Sequence, residues 1–327
     1  MKYVNYPFNE TKRLSFYLAT EEYLALSYSK DEYFFMWQVH PSVIFGRNQL
    51  IENEVNLDYV KANNIDFYRR KSGGGCVYAD FSNIMFSFIT PTFNRDFVFG
   101  TYLGHIVDIL KDMGLNAEFS GRNDIMVDGK KVSGNAFYRV KDRSIVHGTM
   151  LYDTDLSVMV KAITPSNEKL ISKGVKSVRK RVTNLKDKID LSIDEFKQQM
   201  RKSLCDEEIM LTTDDVARIE EIEESYLEED FIYGKNPAYS IIKKARVGDA
   251  GEVEVSLDVK NGIVKNMNLL GDYFIIGDIN RFLTAFKDVD YGEDAFKTVL
   301  KTHDVSDYIY NLDNNAFMKL VFSEDTA

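Results

Sequence analysis

Along the first half of the chain, hydrophobic residues fall in short runs broken by Gly, Asn, Asp and Pro. Such runs, rich in aromatic and β-branched residues, read as strands. They predict strands at 33–38, 42–46, 66–70, 76–78 and 84–90. A different spacing precedes them. Leu14, Tyr17, Leu18, Ala25 and Tyr28 lie near one face of a helical repeat, which predicts an amphipathic helix over 14–28. A second helix is expected over 97–113, stopped by Gly114. Asp128-Gly129, between apolar runs at 124–127 and 130–133, predicts a two-residue β-hairpin turn. Strand character continues at 135–140 and 145–152, with a turn at Lys141-Asp142-Arg143.

After Asp155 the texture becomes helical. Ser192 and Glu195 have capping-box spacing and should start a helix. Another is expected over 214–227. Tyr233-Gly234-Lys235-Asn236-Pro237 marks a boundary. Beyond it, runs at 252–259 and 263–270 flank Asn261-Gly262, a second hairpin. Helices near 278–287, 292–301 and 315–322 complete the pattern. The expected fold class is α+β: a domain of mixed β-sheet and helices over 1–232, and a small α+β domain over 238–327. Strands and helices do not alternate regularly, which argues against a doubly wound sheet.

Composition narrows the function. No apolar run approaches the roughly 20 residues that span a bilayer. The N-terminal segment lacks a signal peptide's apolar stretch. Two cysteines, Cys76 and Cys205, make no disulfide framework. A cytoplasmic protein without membrane contact is expected. Net charge is −10, which argues against nucleic acid as a partner. The charge is uneven. Residues 169–188 hold eight Lys/Arg and one acidic residue, whereas 206–230 hold twelve Asp/Glu and one Arg. The acidic block reads as a solvated helix face. The basic block could attract an acidic protein partner, or fold over a site as a loop. Four histidines and two cysteines without close ligand spacing build no zinc site.

Candidate chemistry begins at Arg69-Arg70-Lys71-Ser72-Gly73-Gly74-Gly75-Cys76-Val77-Tyr78. Glycines let successive backbone N–H groups converge, and arginine supplies planar donors for phosphate or carboxylate. The stretch is an anion cradle between two strands, or a loose turn with solvated charges. Further on, Ser120-Gly121-Arg122-Asn123-Asp124, Lys131-Val132-Ser133-Gly134-Asn135-Ala136 and His147-Gly148-Thr149-Met150-Leu151 alternate small residues with single polar groups. Backbone passing close to a ligand has this character. Strand alternation puts Lys131 and Ser133 on one face and Val132 on the other. Lys131 either meets an anion there or extends to solvent.

Taken together and in order, these motifs resemble the lipoate–protein ligase family. Tyr17-Leu18-Ala19-Thr20-Glu21-Glu22, Gly46-Arg47-Asn48-Gln49 and the segment 174–185 add to the resemblance, and 233–239 with its hairpin is similar to the family's accessory domain. The resemblance covers nearly the whole chain. It implies a biotin/lipoate-ligase-like catalytic domain and an ATP-dependent ligase. Lipoate and ATP give lipoyl-AMP and pyrophosphate, and the acyl group moves to a lysine of a lipoyl-carrier domain. Carrier domains of 2-oxoacid dehydrogenase acyltransferases or a glycine-cleavage H protein are the implied protein partners, and the enzyme would act as a monomer. By motif matching, ATP would contact Arg70, Gly73, Gly74, Gly75, Cys76, Val77, Tyr78, Asn123, Asp124 and Lys131. Substrate would meet Lys131, Ser133, Gly134, His147 and Thr149. Lys131 would bridge the α-phosphate and the lipoyl carboxylate as the catalytic residue. Mg²⁺ would travel with the phosphates, with Asp124 as the protein's metal ligand. Val77, Val132 and Leu151 are candidates for an apolar acyl slot.

The family usually has Ala where this chain has Cys76, and His where it has Ala79. Many members have two tryptophans where this chain has Glu229 and Phe231. Cys76, with no histidine beside it, reads as a packing residue rather than a thioester nucleophile. Two other activities compete with ligation. One is an ATP-independent lipoyl or octanoyl transferase between carrier proteins. The other is a carrier-docking protein without catalysis. The paired arginines and attached small domain favour the ligase.

Overall fold

The computed structural model describes residues 1–28, 30–49, 51–92, 94–120, 123–163, 181–233, 241–260 and 262–322. Most of the basic stretch 169–188, the Gly121-Arg122 pair and the boundary segment 234–240 lie outside the described residues. Contacts divide the chain into two units. The first comprises Met1–Phe45, Ile51–Arg70 and Cys76–Ile232; the second comprises Gly46–Leu50, Lys71–Gly75 and Tyr233–Ala327.

The first unit's described strands are β1 (Lys2–Asn5), β2 (Tyr33–Trp37), β3 (Ser42–Phe45), β4 (Asp66–Arg69), β5 (Val77–Ala79), β6 (Asn83–Thr90), β7 (Ala117–Ser120), β8 (Asp124–Val127), β9 (Lys130–Val140), β10 (Arg143–Leu151) and β11 (Glu207–Met210). Eight form a mixed sheet in the order β11-β1-β2-β6-β10-β9-β8-β7, and three form a small sheet in the order β4-β3-β5. Pairing is antiparallel from β2 to β7, whereas β1 is parallel to both β2 and β11. The expected hairpin forms at Asp128-Gly129, both at positive φ, which that turn needs. Its second arm runs unbroken into the next expected strand, so β9 is a single 11-residue strand.

One face of the large sheet packs against helices Arg95–Asp112 and Ile193–Leu204, around Phe86, Phe88, Val132, Phe137 and Val146. The other face receives helix α1 (Leu14–Ser27), backed by helix Thr213–Leu227. Having protein on both sides explains a departure from expectation. α1 is not amphipathic: Ser15, Thr20 and Glu21 are as buried as Leu14 and Leu18. Tyr28 lies beyond its end and is only half-buried. The acidic block is not one solvated face either. It includes β11, and Glu223 is buried, bonded by Ser15 and 3.2 Å from Arg13.

The second unit carries an antiparallel sheet, β12 (Ile241–Val247), β13 (Gly251–Lys260) and β14 (Ile263–Gly271). Helices Ile279–Ala285, Glu293–Leu300 and Asn314–Phe322 pack on it around Phe282, Phe286, Phe296 and Phe317.

Helix Ile193–Leu204 starts with the capping box the sequence announces: Glu195 N–H donates to Ser192 Oγ at 3.2 Å, and Ser192 N–H donates to Glu195 at 2.7 Å. Ser192→Ala is expected to lower stability by about 1 kcal/mol. A lowered urea midpoint at unchanged slope would register this.

Candidate active site

The face of the large sheet under α1 gathers the polar groups. Register aligns Ser87 with His147 and His147 with Ala136; the next row aligns Thr149 with Gly134 and Gly134 with Asp124. Glu21 of α1 descends onto the first row with no exposed surface. Its oxygens lie 2.8 and 3.0 Å from His147 Nδ1, and it accepts from Tyr138 OH at 3.1 Å and from Ser87 Oγ. Ser87 in turn accepts from Trp37 Nε1 at 3.1 Å. A buried carboxylate needs such donors, and they come from β6, β9 and β10 together. The contact fixes the orientation of the His147 ring against the Glu21 carboxyl group.

Lys131 owes its position to a β-bulge. Ile125 pairs with Ser133 and Met126 with Lys131, so Val132 is an extra residue on β9. The bulge overturns the expectation that Lys131 and Ser133 share a face. Ser133 turns toward Asn135, whose Nδ2 donates to its Oγ at 3.2 Å. The Lys131 side chain folds back over Gly134 instead. A Cβ added at Gly134 would sit 2.8 Å from Lys131 Nζ and 2.9 Å from Cε, so the glycine makes the ammonium's place. Asp124 Oδ1 pairs with Nζ at 2.8 Å. The Lys131 carbonyl accepts from Thr183 N–H at 3.0 Å, which ties the end of the basic segment to this strand. The Asn123 amide donates to the Asn135 carbonyl at 2.7 Å, and Asn135 Nδ2 donates to the Asn123 carbonyl at 2.8 Å. Asn123 therefore pins the β8–β9 hairpin.

Arg70 and its neighbours lie around the small sheet. β4 and β5 are not adjacent, since β3 runs between them, and the Arg70–Cys76 connection crosses from one edge to the other. Arg70 is buried and donates through Nη1 to the Ile44 carbonyl at 3.2 Å. Burial lowers its pKa to about 10, against the opposing pull of Glu54 and Glu21, so it is a cation at neutral pH. Burial also pushes the Cys76 thiol up, and the Glu54 charge adds to it. A protonated thiol is a poor nucleophile, in keeping with a packing residue. Val77 packs with the α1-side core while Val132 lies in the opposite core. The acyl slot expected from Val77, Val132 and Leu151 is therefore not formed by all three. Tyr78 points into a third cluster with Val43 and Phe45.

The three cradle glycines differ from one another. In the second unit, a Cβ at Gly73 would lie 2.2 Å from the Tyr273 carbonyl oxygen, so that glycine admits backbone of its own unit. Gly74 has φ 89°, open to glycine at little cost. Gly75 is exposed with nothing within 4 Å of its would-be Cβ, leaving it room for a ligand.

Among the described residues no cluster of three or more His, Cys, Asp or Glu could cage a metal. Asp124, a single carboxylate already facing an ammonium, suits a metal that arrives on phosphate oxygens.

Residues 14–205 match the family described as Lipoyl protein ligase A/B catalytic domain, and residues 236–321 match Bacterial lipoate protein ligase C-terminus. The chain belongs to the lipoate–protein ligase family. Lipoate–protein ligase 1 of Staphylococcus aureus is 37% identical over 93% of this chain and 95% of its own length. A solved bipartite lipoate protein ligase of Thermoplasma acidophilum, studied with its E2 lipoyl domain, is 28% identical with a TM-score of 0.66, covering 73% of this chain and 98% of that one. A lipoate-protein ligase A structure bound with ATP is 27% identical with a TM-score of 0.61, covering 70% and 97%. The mixed sheet, helices and C-terminal domain are those of lipoate ligases, and no helix among the described residues is long and apolar enough to cross a membrane. The family supports a ligase and not the ATP-independent transferase.

Glu21 lies within a family-like motif that assigns it no role, and Ser87 and Tyr138 lie outside the candidate motifs. Glu21 next to Glu22 in a helix rich in apolar residues is the available signal.

Two outcomes are expected. Gly134→Ala should displace the Lys131 ammonium and slow adenylate formation by about tenfold or more, since even ångström-scale misplacement is costly. Its melting temperature should stay nearly constant, because the atoms to be moved are the free end of a flexible chain. Cys76 should resist iodoacetamide at pH 8 in the folded protein and react on unfolding, as mass spectrometry of the labelled peptide would record.

Proposed function

We propose that Lys131 and the groups around it carry out both steps of ATP-dependent lipoate ligation. The observation that carries this reading is the Lys131 ammonium, held over Gly134 by a bulge and opposed by a single carboxylate.

In the first step a lipoate carboxylate oxygen attacks the α-phosphorus of ATP; the α–β bond breaks and pyrophosphate departs. Both reactants are anions. A cation between them reduces repulsion and stabilises charge growing on the phosphorane. One preorganised donor of this kind is typically worth about 2.7–4 kcal/mol. Arg70 and the Cys76–Tyr78 backbone of the first unit are assigned to the nucleotide. Mg²⁺, borne on the phosphates with Asp124 as the one protein ligand, would neutralise the leaving pyrophosphate. Ser133, His147 and Thr149 are assigned to the substrate side. Of these, His147 and Thr149 share the Gly134 face by register.

In the second step the amine of a carrier lysine attacks the acyl carbon of lipoyl-AMP, and AMP leaves. AMP is a good leaving group, so no enzyme nucleophile is required. The protein acceptor is a lipoyl-carrier domain, in line with the E2 lipoyl domain that accompanies the Thermoplasma ligase. A monomer acting in the cytoplasm, without nucleic acid or membrane, completes this reading.

Lys131→Ala should abolish pyrophosphate release with ATP and lipoate, and with it transfer to a carrier domain. Arginine should rescue little, because its planar fork is wider. Ligation above about a tenth of the unmodified rate in the Ala variant would remove Lys131 from this role.

A further inference from the structure

We propose that the second unit holds a binding site for a small organic phosphate, in the groove between helix Ile279–Ala285 and the end of helix Glu293–Leu300. The groove is an open cavity of about 510 Å³, lined by Asn280, Arg281, Thr284, Ala285, Val299, Thr302 and His303. That size is in the range of small-molecule sites and exceeds the need of a bare ion.

The lining has one electrostatic character. No lining residue is acidic, although the chain carries 51 Asp and Glu against 41 Lys and Arg. The nearest carboxylates along the chain are turned to other work. Asp278 accepts from the backbone N–H of Asn280 and Arg281 at 3.1 and 3.2 Å, and Asp304 accepts from Ser306 and from Asn314. Among the described residues no carboxylate pairs with the exposed Arg281 guanidinium.

His303 is held for the same purpose. Its ring lies parallel to that of Tyr308, with centroids 6.4 Å apart. Its Nδ1 is 3.0 Å from Thr302 Oγ1, and that hydroxyl donates onward to the Val299 carbonyl at 3.1 Å. The hydroxyl therefore accepts from Nδ1–H, which leaves Nε2 of the neutral ring as an acceptor, able to take a hydrogen bond from a protonated phosphate oxygen. The Arg281 guanidinium, the Asn280 amide and the Thr284 hydroxyl can donate while His303 Nε2 accepts, a mixed set that suits a phosphate group with both bare and protonated oxygens better than a carboxylate, which only accepts. Ala285 and Val299 give the organic body an apolar wall.

The chain has four histidines, so the His303 ring proton can be followed by NMR in the full-length protein and assigned by its loss in His303→Gln. AMP and inorganic phosphate, each added at constant ionic strength, should shift this resonance saturably, AMP at the lower concentration. Arg281→Ala, at an exposed position, should raise the half-saturating concentration of both by about tenfold, or 1.4 kcal/mol. No saturable shift would overturn the proposal. So would an unchanged response in Arg281→Ala, or a shift given by adenosine or octanoate and not by phosphate. Phosphate bound elsewhere on the protein leaves this local signal unmoved, so failure here is separate from failure of the ligase reading.

Discussion

A carboxylate removed from water sets the terms for the first unit. Glu21 has no exposed surface, and a charge in that position persists only if donors surround it. Ser87, Tyr138 and His147 supply them from three neighbouring strands. α1 is thereby fixed in height and rotation above the sheet, and the sheet in its register beneath α1. The Glu21 bond also orients His147, two residues from Thr149 in the row that includes Gly134. A structural need and the layout of the site are thus met by one side chain.

Lys131 is held in a contrasting manner. Its side chain and that of Asp124 are 37% and 28% exposed. Pairs so open to solvent contribute about 0–1 kcal/mol. Asp124 keeps the ammonium in place without binding it tightly, so under the proposed reading two substrate anions would replace it at small cost. The bulge at Val132 and the missing side chain at Gly134 do the positioning, and both belong to the backbone. An ammonium arranged this way is in place before any ligand arrives.

Much of this was legible in the sequence. Asp128-Gly129 announced the hairpin, Ser192 and Glu195 the capping box, and the ordered glycine, arginine and lysine motifs the family. What escaped depends on partners far along the chain. β1 and β11 are four-residue strands with ordinary composition; β1 lies between β2 and β11, and β11 has β1 as its one neighbour in the sheet. The burial of α1 on all sides follows from helix Thr213–Leu227, invisible from 14–28 alone. The face of Lys131 was misread because strand alternation assumes an unbroken ladder, and nothing local in Lys131-Val132-Ser133 marks the bulge. Gly73 also has a packing reason to lack a side chain, since its would-be Cβ meets the Tyr273 backbone, 200 positions later in the chain.

The β1–β11 ladder has a consequence for how the protein is made. Lys2 pairs with Glu207 and Asn5 with Met210. Partners separated by some 205 positions cannot meet until the later one has left the ribosome. At about 5–20 residues per second, that leaves the outer edge of β1 open for roughly 10–40 seconds. An uncovered strand edge is a template for pairing with another chain. β1 is short and carries Lys2, Tyr3 and Asn5 only partly covered even in the finished fold. During synthesis that brevity and polarity make the open edge a poorer template for a neighbouring chain.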